Sequence, residues 1–249
     1  MKKIGVTVCL GLASLFAFGI SAIAQSRCAD CHFANPGAPA AAHLSNWDRS
    51  AHSRNNVGCE KCHGGDATTF EPFLAHRGVL NSRNPASPVN RRNLSRTCGT
   101  CHAGPFVAFQ KSQHFALLEK GDTRVPVCST CHDDAGIWRP SARSLETECR
   151  LCHGPGGIAP RAERAESART LYEALHESRE VLKSAKSLIN RVDDKTRRAQ
   201  LEAAYQQTEV PLIEAVQAGH QFVYDDLKER LSTARRRLDA LLGQLANPK

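Results

Sequence analysis

Cys98-Gly99-Thr100-Cys101-His102 is one of five copies of the pattern Cys-x-x-Cys-His in this chain. The others are Cys28-Ala29-Asp30-Cys31-His32, Cys59-Glu60-Lys61-Cys62-His63, Cys128-Ser129-Thr130-Cys131-His132 and Cys149-Arg150-Leu151-Cys152-His153. Two thiols three positions apart, with a histidine directly after the second, suit addition across the two vinyl groups of a haem and delivery of an imidazole to its iron. Five covalently bound haem c groups are therefore expected. Cys28, Cys31, Cys59, Cys62, Cys98, Cys101, Cys128, Cys131, Cys149 and Cys152 would hold them, with His32, His63, His102, His132 and His153 as proximal ligands. Zinc sites on paired Cys-x-x-Cys motifs are the competing reading, but they do not require a histidine after each second cysteine. All five copies carry one.

Outward from the motifs, the eleventh cysteine, Cys9, falls in a leader. Lys2 and Lys3 precede an apolar run from Ile4 to Ile20, and Ala22-Ile23-Ala24 has the form of a cleavage site. Residues 1–24 are read as a signal peptide and Gln25 as the mature start. The run is near the lower length limit for a membrane span, so removal is favoured over anchoring. Cys9 lacks the small residues that normally precede a lipidated cysteine. Export fits the motif, because unoccupied Cys-x-x-Cys pairs in an oxidising compartment would tend to form disulfides. The expected location is the periplasm.

A formal charge of +8 invites a nucleic-acid partner. Losing Lys2 and Lys3 and adding ten propionates and five ferric centres brings the oxidised protein to about +1, and reduction to about −4. No nucleic-acid binding is expected.

The chain divides by composition. Residues 25–159 hold every motif, with the first cysteines spaced irregularly, which does not indicate a solenoid repeat. The region is rich in Gly, Pro, Asn and Ser, as in Pro36-Gly37-Ala38-Pro39, and lacks long periodic apolar segments. Such a stretch cannot bury an ordinary core, so the haems are expected to supply one and the apoprotein half to be largely unfolded. From residue 160 to 249 the pattern is helical: Ala168, Leu171, Leu175, Ser178, Leu182, Ala185, Ile189 and Val192 alternate by three and four. Asp193-Asp194 suggests a break. A second helical stretch is expected to be interrupted at Val210-Pro211 and to resume through Val216, His220, Tyr224, Leu227 and Leu231. The fold class is mainly α: a haem-cored cytochrome c region with little regular structure, then two or three long helices packed as an antiparallel hairpin.

Six histidines remain for the second axial positions. His52, in Ser50-Ala51-His52, and His114, in Ser112-Gln113-His114, have the best contexts, each a short distance before a motif. His76 follows Phe73-Leu74-Ala75. His220 lies in register with an apolar stripe, and His43 completes a set of five distal candidates. His176, on the flank of the first helix's stripe, ranks last. Which distal histidine meets which iron is left open.

Trp47-Asp48-Arg49-Ser50-Ala51-His52, followed by Val57-Gly58 and the second motif, resembles the superfamily of exported multihaem cytochromes. That group includes the tetrahaem electron acceptor of hydroxylamine oxidoreductase, that oxidoreductase itself, and pentahaem ammonia-forming nitrite reductase. Phe109-Gln110-Lys111-Ser112-Gln113-His114-Phe115 repeats the theme. The resemblance implies closely stacked haem pairs and mostly bis-histidine irons. This chain lacks the Cys-x-x-Cys-Lys site of the nitrite reductases. Its only tyrosines, Tyr172, Tyr205 and Tyr224, lie in the helical tail, where packing is the simpler role.

The expected function is electron transfer between redox partner proteins, a membrane quinol-linked donor and a periplasmic or outer-membrane acceptor, rather than catalysis. The alternative is an oxidoreductase acting on a nitrogen or sulfur oxyanion at one open haem. The helical hairpin is also a possible homodimer contact.

Overall fold

The computed structural model describes residues 26–35, 37, 41–133 and 140–247. The expected leader, with Cys9, the Ala22-Ile23-Ala24 site and Gln25, lies outside the described residues. Among the described residues every regular element is a helix, so the fold is mainly α as the sequence predicts.

The motif-bearing half is a string of short helices: α1 (Arg27–Ala34), α2 (Ala41–Arg49), α3 (Ala51–Arg54), α4 (Glu60–His63), α5 (Pro72–Ala75), α6 (Leu94–Gly99), α7 (Ala103–Gln110), α8 (Gln113–Glu119), α9 (Cys128–His132) and α10 (Ala142–His153). Their starts are written in the sequence. Ser50, Ser112 and Ser141 cap α3, α8 and α10, each side chain accepting a hydrogen bond from the backbone N–H three residues on. Pro72 opens α5, where its missing N–H costs nothing. The apolar cluster of this half is small, with Phe109, Phe115, Leu118, Val125 and Val127 buried.

The second half is a bundle of three long helices, α11 (Ala162–Ile189), α12 (Lys195–Gln221) and α13 (Tyr224–Ala246), each packed on the other two. The α11 stripe is the one read from the sequence: Ala168, Leu175, Ser178, Leu182, Ala185 and Ile189 are buried. Leu175, Leu182, Ala185 and Ile189 meet Leu201, Leu212, Ala215 and Ala218 of α12 and Leu227, Leu231, Ala234, Leu238 and Leu241 of α13. Asp194 caps α12 by accepting from Arg197 N at 2.7 Å, which accounts for the break at Asp193-Asp194.

The expected interruption at Val210-Pro211 is corrected: α12 runs through Pro211 unbroken. Proline removes the N–H that would bond the carbonyl four residues back, that of Gln207. Arg237, on α13, donates to that oxygen at 2.6 Å and takes the missing amide's place. The real break lies eleven residues later. Phe222 adopts the left-handed conformation (φ 58°, ψ 27°) and reverses the chain between His220 and Tyr224, so the run once read as one helix is split between two.

The bundle does not stand apart. α10 packs on α11, and α7 packs on α12. The second contact is close because residue 104 is glycine: a Cβ there would sit 2.8 Å from Gln217 Nε2. Among the described residues no helix is long and apolar enough to cross a membrane.

Candidate functional site

Each motif sits on or beside a single helical turn. The first lies within α1, the second spans Cys59 and α4, the third runs from α6 to the residue capping α7, the fourth is α9, and the fifth ends α10. A helical turn brings positions i, i+3 and i+4 to one face, so both thiols and the imidazole project together. The 2.9 Å bonds from His63 N to Cys59 O and from His102 N to Cys98 O close two of these turns.

Every motif histidine faces a second histidine from a distant segment. Ring centres are 5.9 Å apart for His32 and His76, 5.8 Å for His63 and His43, and 5.9 Å for His102 and His52. They are 6.1 Å apart for His153 and His114, and 6.2 Å for His132 and His220. The last pair is parallel to within 7°.

Local structure aims several of these rings. His76 Nδ1 donates to Pro72 O at 2.7 Å, His153 Nδ1 to Ala159 O at 2.7 Å, and His220 Nδ1 to Val216 O at 2.8 Å. A carbonyl only accepts, so Nδ1 is the donor in these three, which leaves Nε2 as the nitrogen a metal could take. The buried caps Ser50 and Ser112 place His52 and His114 at the second position of their helices. His76 is brought round by a close crossing behind the second motif. Gly65 (φ 90°) passes so near α5 that a Cβ would lie 2.5 Å from Ala75 O, and Asp66 N donates to that oxygen at 3.0 Å.

Burial holds the His63 and His114 imidazoles below the ordinary histidine value, and the facing His43 and His153 add to the shift. Both imidazoles are therefore neutral at neutral pH. Burial also pushes the Cys131 thiol up to about 12, with Cys149 contributing. Cys98 and Cys128 share a hydrogen bond that raises the first and lowers the second.

Successive motifs adjoin. Ser26 Oγ, two residues before the first motif, lies 3.9 Å from Cys59 Sγ. The helices carrying His43 and His52, α2 and α3, are consecutive and packed together. Arg91 reaches Val125 O at 2.8 Å and Thr130 Oγ1 at 3.4 Å, tying the approach to the third motif to the fourth. α9 packs on both α6 and α10.

His176 is not brought to any of these rings. It is exposed on α11 and stacks on Tyr172, with centres 6.5 Å apart. Tyr205 sits beside Glu209 at 3.2 Å with Lys186 over its ring. Tyr224, unlike the other two, lies near a motif: burial raises its phenol, with the Cys149 and Cys131 thiols adding. Its place at the start of α13 is legible only once the break at Phe222 is known.

The residues fit haem c. A metal–imidazole bond of about 2 Å, plus about 1 Å from the bonding nitrogen to the ring centre, sets two rings on opposite sides of one iron about 6 Å apart. The buried His114 Nδ1 has no hydrogen-bond partner within the protein.

Residues 18–64 match the family of cytochrome c554 and c-prime, and residues 86–154 that of cytochrome c7 and related cytochrome c. The C-type polyheme cytochrome OmcC of Geobacter sulfurreducens is 26% identical over 126 residues, 47% of this chain. The match spans 15% of that protein's length. No solved structure matches. The narrower likeness to hydroxylamine oxidoreductase or nitrite reductase is not supported by these matches. The two family matches together contain all five Cys-x-x-Cys-His segments, and with the OmcC match they support a multihaem c-type cytochrome.

Proposed function

We propose that this chain is an exported, periplasmic pentahaem cytochrome that relays electrons between redox partner proteins through bis-histidine centres. The observation that carries the reading is the opposition of each motif histidine by a second imidazole, with ring centres 5.8 to 6.2 Å apart in all five pairs. Haem iron, when bound, supplies reversible one-electron exchange between ferric and ferrous states.

The ten cysteines hold five groups by thioether bonds. His32 and His76, His63 and His43, His102 and His52, His132 and His220, and His153 and His114 would hold the irons through their imidazole nitrogens. Two imidazoles per iron would leave no open site, which favours conduction over the alternative of oxyanion chemistry. Attachment points that adjoin in motif order favour a single series from the first motif to the fifth. Export rests on the leader composition, and it agrees with the generally extracytoplasmic setting of multihaem c-type cytochromes. A membrane quinol-linked donor and a periplasmic or outer-membrane acceptor are the partners such a relay needs.

A redox titration followed by paramagnetic resonance tests the proposal, together with intact mass of the purified protein. Five haems on a chain beginning near Gln25, all low-spin and unreactive to carbon monoxide when reduced, are expected. A high-spin, carbon-monoxide-binding centre in the wild-type protein would overturn the bis-histidine relay in favour of the oxidoreductase. A mass short of five haems would overturn the stoichiometry.

A further inference from the structure

Three non-glycine residues among those described have a positive φ: Asn56, Asp133 and Phe222. Asparagine and aspartate visit the left-handed region because a short polar side chain can bond locally. A phenylalanine there is a true outlier, and such outliers persist only where the surroundings over-determine them. The surroundings of Phe222 are unusual. Its N–H donates to Gly219 O at 3.2 Å and ends α12 two residues after His220, whose ring is stacked on His132. Its own ring stands edge-on to His114, with centres 4.7 Å apart and planes at 90°. Behind it, Phe109 closes the wall at 6.3 Å, and the buried cluster around Phe115 continues it.

One turn of chain thus touches the distal-side imidazoles of two centres that belong to different motifs. His220 is held because α12 must stop where Phe222 turns left-handed, which keeps the Val216 carbonyl under His220 Nδ1. His114 is held because the Phe222 ring blocks one side of its imidazole while the Ser112 cap fixes the backbone below. We propose that Phe222 is a positioning residue that sets the distal histidines of both the His132–His220 and the His153–His114 centres. This inference rests on the axial pairing proposed above.

The test uses haem-loaded protein carrying Phe222→Gly, Phe222→Leu or Phe222→Tyr. Glycine accepts the left-handed backbone freely, so the turn survives while the wall is lost. Leucine keeps the cluster filled but removes the flat edge, and it serves if the glycine variant loads haem poorly. Tyrosine keeps the ring. In the glycine and leucine variants two of the five low-spin signals are expected to shift or broaden, with up to two equivalents of carbon monoxide bound on reduction. The tyrosine variant should restore the wild-type spectrum.

A purely structural role would lower the melting temperature and leave all five signals in place, which overturns the proposal. A change confined to one centre overturns its claim on two. His220→Met and His114→Met, run alongside, separate the two levels. If neither histidine variant alters a centre, the pairing itself is wrong. If each alters one while the Phe222 variants alter none, only the positioning role falls.

Discussion

Replacing Arg237 by methionine removes the guanidinium that donates to Gln207 O at 2.6 Å but keeps an apolar stem of similar length. In an ordinary helix that carbonyl would be bonded by the amide of residue 211, which is proline here. A charge-assisted hydrogen bond contributes about 1.5–3 kcal/mol where the group is dry. This one is exposed, so water can take over part of the bond, and a loss of about 1 kcal/mol is expected. For a chain of this size that corresponds to a fall of roughly 2–4 °C in the melting temperature of the helical signal. The control is Pro211→Ala, which restores the backbone donor. In that background Arg237→Met should cost close to nothing, giving a coupling of about 1 kcal/mol in the double-mutant cycle. Helical circular dichroism of the haem-loaded protein during heating is the assay. Equal losses in the proline and alanine backgrounds would show that Arg237 contributes through general packing or charge, and the account of the unbroken α12 would be wrong.

His220→Ala should convert one low-spin centre to a high-spin, carbon-monoxide-reactive form, whereas His176→Ala, which removes a ring stacked on Tyr172, should leave all five spectra unchanged. Ser50→Ala and Ser112→Ala each remove a helix cap at a cost of about 1 kcal/mol, and each should broaden the signal of a single centre, that of His52 or of His114. Blocking haem attachment should abolish the cooperative unfolding of residues 26–159 while α11, α12 and α13 keep helical signal, because only the second half has an extensive apolar core; hydrogen exchange resolves the two.

How much of this could be read in advance depends on the range of the forces involved. Thioether attachment needs Cys, Cys and His within one turn, so the proximal residues are legible from five adjacent letters. Ser50 and Ser112 are equally local, acting on a backbone N–H three residues on. The α11 stripe is legible because burial of one helix face repeats by three and four. The distal pairing is not, since His132 and His220 meet only after the bundle has packed on the motif half. Pro211 misleads for the same reason: its missing donor is replaced by Arg237, thirty residues along the chain from the Gln207 carbonyl. The break at Phe222 carries no turn signal, because a phenylalanine reverses the chain there only with His114 and Phe109 to hold its ring.

The histidine pairs also lace the chain, and the lacing has a seam. The pair His32–His76 encloses His43–His63 and is crossed by His52–His102; further on, His114–His153 is crossed by His132–His220. No pair spans residues 103–113, the stretch that contains α7. With haem held as proposed, a peptide-bond cut anywhere else between residues 32 and 220 leaves its two ends bridged by at least one pair, so proteolytic nicks there should not release fragments. A cut in 103–113 leaves the ends held by no histidine pair, only by packing of α7 on α12 and α6 on α9 and by exposed or part-buried polar contacts such as Arg96–Glu119 and Arg91–Val125 O. The natural cassettes for grafting are therefore a three-motif piece ending at His102 and a two-motif piece that must carry α11, α12 and α13 with it. A graft cut at residue 160 would separate His132 from His220 and leave that one centre with a single histidine.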